Sequence, residues 1–305
     1  MPQGQRLPPG LYVAATPIGN LADASPRLAE ILAAVDVVAA EDTRRTAVLL
    51  RHLGLRTPTL SLHEHNERRV TARLLERLRG GARVALVSDA GTPLVSDPGR
   101  HLVAACHREG ILVSPVPGPS AVVAALSVSG LPAERFCFEG FLPARPAERR
   151  RRLEALRAEP RTLVFLEAPH RLLEGVRDAA SVLGARREAV LARELTKLHE
   201  TVRRDSLGAL AAWLEAHPEQ CRGEAVLVVS GAGRGKALGG KAAGGEAARG
   251  KAVAGDAVGE AAARRTLALL LEELPPARAA ALAARLTGWP RNRLYRWAVE
   301  RGGGR

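Results

Sequence analysis

Four short polar clusters hold the side chains that could do chemistry. They are Glu41-Asp42-Thr43-Arg44, His63-Glu64-His65-Asn66, Ser88-Asp89-Ala90-Gly91-Thr92-Pro93 and Glu167-Ala168-Pro169-His170-Arg171. Carboxylates and imidazoles, including Asp23, His63, His65 and His170, suit proton transfer. Arg44, Arg171 and Lys197 suit anion binding or the steering of a hydroxyl. Each also has a structural alternative: Asp23 can cap a helix, Arg44 can pair with Asp42, and His170-Arg171 can simply open a helix. Cys106, Cys137 and Cys221 are far apart and in no metal-ligand spacing, so they read as small buried hydrophobes in a reducing cytoplasm. No metal site and no covalent nucleophile is expected.

The elements that must position these clusters are centred on Arg83 to Gly99. Val84-Ala85-Leu86-Val87 has the length and type of a buried strand. Ser88 to Pro93 and Ser96-Asp97-Pro98-Gly99 are turn formers with small side chains, and a periodic apolar segment follows. Strand, small-residue loop and helix start form the place where ligands sit in a parallel α/β sheet. An ordinary βα turn has the same spacing.

The same alternation runs through the first half of the chain. Strands are expected at Leu11–Ala15, Asp36–Ala40, Thr59–Leu62, Val84–Val87 and Ile111–Val116. Helices are expected at Asp23–Ala34, Thr46–Leu53, Val70–Leu78, after Gly99 and from Ala121. Such βα units imply a mostly parallel sheet covered on both faces. The pattern restarts at Phe136–Phe141, followed by a basic stretch from Arg145 to Arg157. It continues with strands at Thr162–Leu166, Ala189–Ala192 and Ala225–Val229, a further strand near His199–Arg203, and helices at Leu172–Val182 and Leu207–Leu214. The reading is α/β, with two α/β domains at 1–117 and 118–230 and a mixed sheet in the second.

Residues 231–262 differ. Of these 32 residues 21 are Gly or Ala, too few large apolar groups to offset chain entropy. The stretch reads as a linker. Its Gly231-to-Lys236 run fails the phosphate-loop pattern, because Ser230 and Ala237 stand where Gly and Ser/Thr belong. From Ala263 helical periodicity returns, and 263–305 reads as a small basic helical domain with nine Arg and three Glu. Arg291, Arg293 and Arg296 cluster there, as phosphate contacts would.

Composition narrows the function classes. Lys plus Arg is 45 against 32 acids, a formal net charge of +13. That field favours polyanions such as RNA, although an Arg-rich composition bias would look the same. No apolar run has the length of a membrane span. The N-terminal MPQGQRLPPG lacks an apolar core, so no secretory signal is expected.

Several loops in fixed order carry a resemblance. Thr16-Pro17-Ile18-Gly19-Asn20-Leu21, Glu41–Arg44, Ser88–Pro93 with Ser96–Gly99, Val116-Pro117-Gly118-Pro119-Ser120-Ala121 and Glu167–Arg171 together resemble the tetrapyrrole methylase superfamily, over roughly Leu11 to Gly231. Within it the chain is similar to the members that methylate the 2′-hydroxyl of a cytidine in bacterial 16S rRNA. The Gly/Ala stretch is longer and simpler than that likeness leads one to expect.

The resemblance implies an S-adenosylmethionine cleft between two domains. By matching positions it implies cofactor contacts from Pro17, Gly19, Gly91, Thr92, Pro93, Leu94, Ser96, Ser120, Ala121, Leu166 and Ala225, with Thr92 where other members carry an acid. For the chemistry at the ribose hydroxyl the ranked candidates are Asp42, Arg44, His63, Glu64, Asn66 and Lys197, with the base unassigned. For RNA they are Arg149, Arg150, Arg171, Arg291, Arg293 and Arg296. The expected partner is 16S rRNA or the 30S subunit, with the enzyme a cytoplasmic homodimer. The alternatives are a small-molecule tetrapyrrole methyltransferase and a non-catalytic RNA-binding assembly factor.

Overall fold

A computed structural model describes residues 7–233, 257–287 and 289–302. The chain divides into two compact units, Met1–Leu238 and Gly239–Arg305.

The first unit contains two five-stranded sheets. One is built from β1 (Gly10–Ala14), β2 (Val37–Ala40), β3 (Thr59–Ser61), β4 (Arg83–Val87) and β5 (Val113–Val116), in the order β3-β2-β4-β1-β5. All its pairings are parallel. Alternate residues explain why it is covered on both faces. Tyr12, Val38, Ala40, Ala85 and Val87 face one apolar cluster, while Leu11, Val37, Ala39, Val84 and Leu86 face another. Helices α1 (Pro26–Ala34), α2 (Thr43–His52), α3 (Glu67–Arg79) and α4 (Arg100–Arg108) supply the facing side chains.

The first helix starts later than its periodicity suggests. Leu21–Asp23 forms a separate 3-10 turn, and α1 begins at Pro26 with Ser25 as its cap. Ser25 Oγ accepts from Leu28 N at 3.1 Å, and Pro suits the first helical position because its missing N–H has no partner there. Asp23 therefore does not cap α1.

Helix α5 (Ala121–Ser129) leaves the first sheet and packs on the second. The second sheet contains β6 (Phe136–Phe141), β7 (Thr162–Glu167), β8 (Glu188–Arg193), β9 (Thr201–Ser206) and β10 (Ala225–Val229), ordered β6-β7-β10-β8-β9. It is mixed: β6 and β7 are parallel, the other pairs antiparallel. One face packs under α6 (Pro146–Ala155), α7 (Leu172–Leu183) and α8 (Leu207–Ala216) through Leu153, Val176 and Leu210. The other meets α5 through Val164, Val226 and Val228.

Helix α6 lies in the basic stretch that carried no expected element. Its charge obscured two buried positions, Arg149 and Leu153.

The second unit is a three-helix cluster of α9 (Ala257–Glu273), α10 (Pro276–Thr287) and α11 (Arg291–Gly302). Leu267, Ala280, Ala283, Leu294 and Ala298 form its core. Its first helix begins at Ala257, inside the stretch expected as linker; alanine's high helix propensity favours this. Residues 234–256 of that stretch lie outside the described residues. Among the described residues, no helix is long and apolar enough to cross a membrane.

Candidate functional site

The strand ends of both sheets enclose a cleft of about 410 Å³, within the range of pockets that hold small molecules and cofactors. Ile18 lines it after β1, Glu41 and Arg45 after β2, and Asp89 to Thr92 and Val95 to Asp97 after β4. Ser120 to Val122 continue the lining at the start of α5. The second sheet contributes Phe141, Leu166 to Pro169, Ala192, Leu195 and Glu224 to Val226.

Backbone pairing between neighbouring strand ends shapes this cleft. Thr16 and Gly91 exchange N–H···O bonds of 2.9 and 3.0 Å, and Thr16 Oγ1 donates to Ser88 O at 3.2 Å. Gly91 has φ +79°, which only glycine adopts without strain. Thr92 Oγ1 then donates to Pro119 O at 3.1 Å, joining the β4 loop to the approach to α5. Glu67, which the sequence reading missed, fastens the far end of the β4 loop. Its buried Oε1 accepts from Gly99 N at 3.0 Å and His101 N at 2.8 Å.

Two cleft loops hold unusual backbone. Among the described residues, the non-glycine positions with positive φ are Leu94 (72°), Ser96 (67°), Glu194 (51°) and Thr196 (66°). Each pair flanks a cleft-lining residue, Val95 or Leu195. Strain of this kind persists where the surrounding structure over-determines it.

The cleft wall of the first sheet is acidic in a chain of net charge +13. Glu41, Asp89 and Asp97 all line it, with Arg45 as the cation beside them. Asp89 N donates to Glu41 Oε2 at 3.4 Å, and Asp89 Oδ1 accepts from Asp42 N at 2.9 Å. Arg45 Nη1 lies 3.4 Å from Asp89 Oδ2. Burial pushes the Asp97 carboxyl up to about 6, with the Glu41 and Asp89 charges adding to the rise. Burial also raises Glu41. A site built this way favours a cationic ligand, or a proton held on a carboxylate. Among the described residues, no group of three or more His, Cys, Asp or Glu could hold a metal ion.

The sequence-derived cofactor positions divide into two groups. Gly91, Thr92, Ser96, Ser120, Ala121, Leu166 and Ala225 come together on the cleft. Pro17, Gly19, Pro93 and Leu94 lie beside lining residues without lining it. Leu94 packs into the first sheet's core. Gly19 lies under the loop after β8, where a Cβ would clash with Lys197 Cγ.

Of the carboxylates suited to proton transfer, Glu41 and Glu167 line the cleft, but the ranked candidates Asp42, Arg44, His63, Glu64, Asn66 and Lys197 do not. Asp42 caps α2 and pairs with Arg44 through bonds of 2.8, 3.0 and 2.6 Å. The Arg44 guanidinium holds its carboxyl well below the usual carboxylate range, which makes it a poor base. Asn66 closes the turn before α3, accepting from His63 N at 2.9 Å and donating to Ser61 O at 3.1 Å. His63 and Glu64 belong to that turn. Lys197 pairs with Glu194 at 2.8 Å and Glu224 at 3.1 Å, so it braces the cleft from behind Glu224.

Arg149 requires a correction. Its side chain is 2% exposed and bonds Asp178, so it is closed to phosphate. Arg150 is exposed but shares Asp178, and Arg171 pairs with Glu167 Oε1 at 3.3 Å. On α11, Arg291, Arg293 and Arg296 are exposed. Arg293 lies over Trp289 and Trp297, 5.1 and 5.8 Å from the ring centroids.

Sequence reasoning missed Asp97, Arg45, Glu224 and Phe141 as cleft residues. The Ser96–Gly99 turn marked the neighbourhood of Asp97 but not its burial.

Known proteins are similar to this chain. Residues 10–211 match the family described as Tetrapyrrole (Corrin/Porphyrin) Methylases, and residues 257–302 match the RsmI C-terminal HTH domain. The ribosomal RNA small subunit methyltransferase I of Pseudomonas aeruginosa is 52% identical, covering 96% of this chain and 98% of its own. That of Escherichia coli O157:H7 is 48% identical, covering 96% of each. Two solved structures share the fold. Diphthine synthase aligns with TM-score 0.56 and 18% identity over 72% of this chain and 89% of its own. The methyltransferase CobJ aligns with TM-score 0.55 and 21% identity over 73% and 94%.

Proposed function

The chain belongs to the tetrapyrrole (corrin/porphyrin) methylase family, and from that premise we propose that it methylates the 2′-hydroxyl of a cytidine in 16S rRNA, with S-adenosylmethionine as donor. The observation that carries this reading is an acidic, small-walled cleft inside a strongly basic chain. The cleft suits a cationic cofactor, and the surface charge suits RNA.

The residues present fit that cofactor. Glu41 and Asp89 give its sulfonium and amino group an anionic wall. Leu166, Ala192, Ala225 and Val226 give a flat apolar surface for adenine, with backbone groups close enough to read its edge. When bound, it supplies a methyl group on a positively charged sulfur, the C–S electron pair leaving with a neutral thioether.

The chain's own residues then orient the acceptor and take its proton. A ribose hydroxyl is a weak nucleophile, so a base tuned near neutral pH assists it. We assign that role to Asp97, whose carboxyl at about 6 is ionised at neutral pH yet holds a proton far better than an exposed aspartate. Arg45 offsets part of the surrounding negative charge. Positioning by the Thr16–Gly91 and Thr92–Pro119 bonds supplies much of the remaining rate.

Residues 1–117 and 118–230 act as two domains across the cleft. Arg291, Arg293 and Arg296 contact phosphates. The enzyme acts as a homodimer on the rRNA or the 30S subunit, in the cytoplasm.

The test incubates the full chain with methyl-labelled S-adenosylmethionine and either 30S subunits, naked 16S rRNA or uroporphyrinogen. Label on a ribose 2′-oxygen of the rRNA is the expected result. Label confined to the tetrapyrrole overturns the reading. Neither label nor cofactor binding favours a non-catalytic RNA-binding factor.

A further inference from the structure

An irregularity in β6 determines where one aromatic side chain faces. In the parallel pairing with β7, Phe136, Cys137 and Phe138 lie beside Thr162, Leu163 and Val164. The register then slips, so that Gly140 lies beside Phe165 and Phe141 beside Leu166. Residues alternate faces along a strand, and neighbours in register share a face. In an unbroken strand Phe141, three residues after Phe138, would point to the opposite face. There it would join Leu163 and Phe165 in the core beneath α6 to α8. The extra residue turns it to the face of Phe138, Val164 and Leu166, which is the face toward the cleft. Bulges re-aim side chains in this way.

The neighbouring residues support this orientation. Glu139, the inserted residue, is anchored by the Arg152 guanidinium and by Cys137 Sγ at 3.0 Å. Gly140 takes φ +67°, and a Cβ there would come within 3.3 Å of Ser96 Oγ. The two walls of the cleft therefore meet beside Phe141. The ring lines the cleft yet is 52% exposed, and the lining residue Val95 is 37% exposed. The chain has only four Phe, two Tyr and three Trp, and among the described residues lining the cleft Phe141 is the one aromatic.

We propose that Phe141 is a stacking platform for the nucleobase of the acceptor nucleotide, swung out of the RNA so that its ribose reaches the cleft. The inference rests on the rRNA methyltransferase reading above. Unstacked bases of RNA are recognised on aromatic faces, and an enzyme acting on one nucleotide commonly extrudes it. The ring is apolar, accessible and next to the site, while its backbone is held by the bulge rather than by packing of the ring.

The experiment compares wild type with Phe141→Ala, Phe141→Leu and Phe141→Trp, on whichever rRNA substrate wild type methylates. Cofactor affinity is read separately by calorimetry. The expected result is a KM for RNA raised roughly tenfold to a hundredfold in the Ala variant. Leu gives a similar loss despite its apolar bulk, Trp stays near wild type, and cofactor affinity and melting temperature are unchanged in all variants. An unchanged KM in the Ala variant overturns the proposal. A loss that Leu repairs shows simple packing and also overturns it. Weakened cofactor binding assigns the ring to adenine and overturns it as well. Failure of the parent reading shows differently: wild type itself then transfers no label to RNA, and both fall.

Discussion

Arg149 donates Nε to Asp178 Oδ2 at 2.7 Å, with the two side chains 2% and 8% exposed. Asp178 Oδ1 accepts from Arg150 Nε, also at 2.7 Å. One carboxylate of α7 thus fixes two consecutive residues of α6. Removing one partner of a buried pair leaves the other charge uncompensated, at about 3–5 kcal/mol. Asp178→Ala, which strands the buried Arg149 guanidinium, is therefore expected to lower stability by about that amount in denaturant melts, and Arg149→Ala, which leaves Asp178 its bond from Arg150, by less. Arg149→Met combined with Asp178→Leu, which removes both charges, should cost much less. Equal losses would show that packing, not charge, dominates.

Asp97 should make stability and activity respond oppositely to pH. Its carboxyl is raised from 3.8 to about 6 in the folded chain. Between those values the native state holds a proton that the unfolded state has released, so stability falls as pH rises through that window and levels off above it. Asp97→Asn removes the cost and should add about 1–2 kcal/mol at pH 7.5, once partial exposure is allowed for. With Asp97 as the base, methyl transfer needs its ionised carboxylate, so wild-type turnover should rise with pH up to about 6. The variant should lose that rise and fall on the order of a hundredfold. An unchanged pH–rate profile in the variant would remove Asp97 as the base.

Gly91→Ala places a side chain at φ +79°. The nearest atom to its Cβ is Ile18 Cγ2 at 3.4 Å, so space is adequate and backbone conformation is the cost. We expect a loss of about 1–2 kcal/mol in stability, and a weaker cofactor affinity by calorimetry as the Thr16–Gly91 pairing opens. Wild-type affinity in a stably folded variant would show that this loop is not a cofactor wall.

Replacing Arg291, Arg293 and Arg296 together by alanine should weaken RNA binding without altering cofactor affinity. Each lost phosphate contact lowers the slope of log affinity against log salt by about one. Arg293 also lies over two tryptophan rings, so its single replacement should lower the melting temperature more than that of Arg291. An unchanged salt slope in the triple variant would exclude these arginines as phosphate contacts.

The first sheet was legible because its central strands are buried on both faces and read as unbroken apolar runs such as Val84–Val87. The small-residue loops were legible because turn chemistry is local. The chemistry inside the cleft was not. Asp42 N bonds Asp89 Oδ1 across 47 residues, and the burial that raises Asp97 comes from elements distant in the chain. Arg149 and Arg150 read as RNA contacts because their anchor, Asp178, lies 29 residues beyond Arg149. Gly140 inside a strand pattern signalled a bulge in principle, but only the register with β7 shows which way Phe141 then faces.

The left-handed residues Leu94, Ser96, Glu194 and Thr196 have a consequence for laboratory evolution. Leu94 packs in the core and Glu194 holds Lys197 and Glu224 N, but glycine at Ser96 or Thr196 relieves on the order of 1 kcal/mol, so a screen for heat tolerance alone has these two positions as cheap winners. The same change loosens the loops carrying Val95 and Leu195 on the cleft wall. Thermostable isolates with Gly there are expected to turn over more slowly, whereas stabilising changes recovered from selection on growth should avoid both positions.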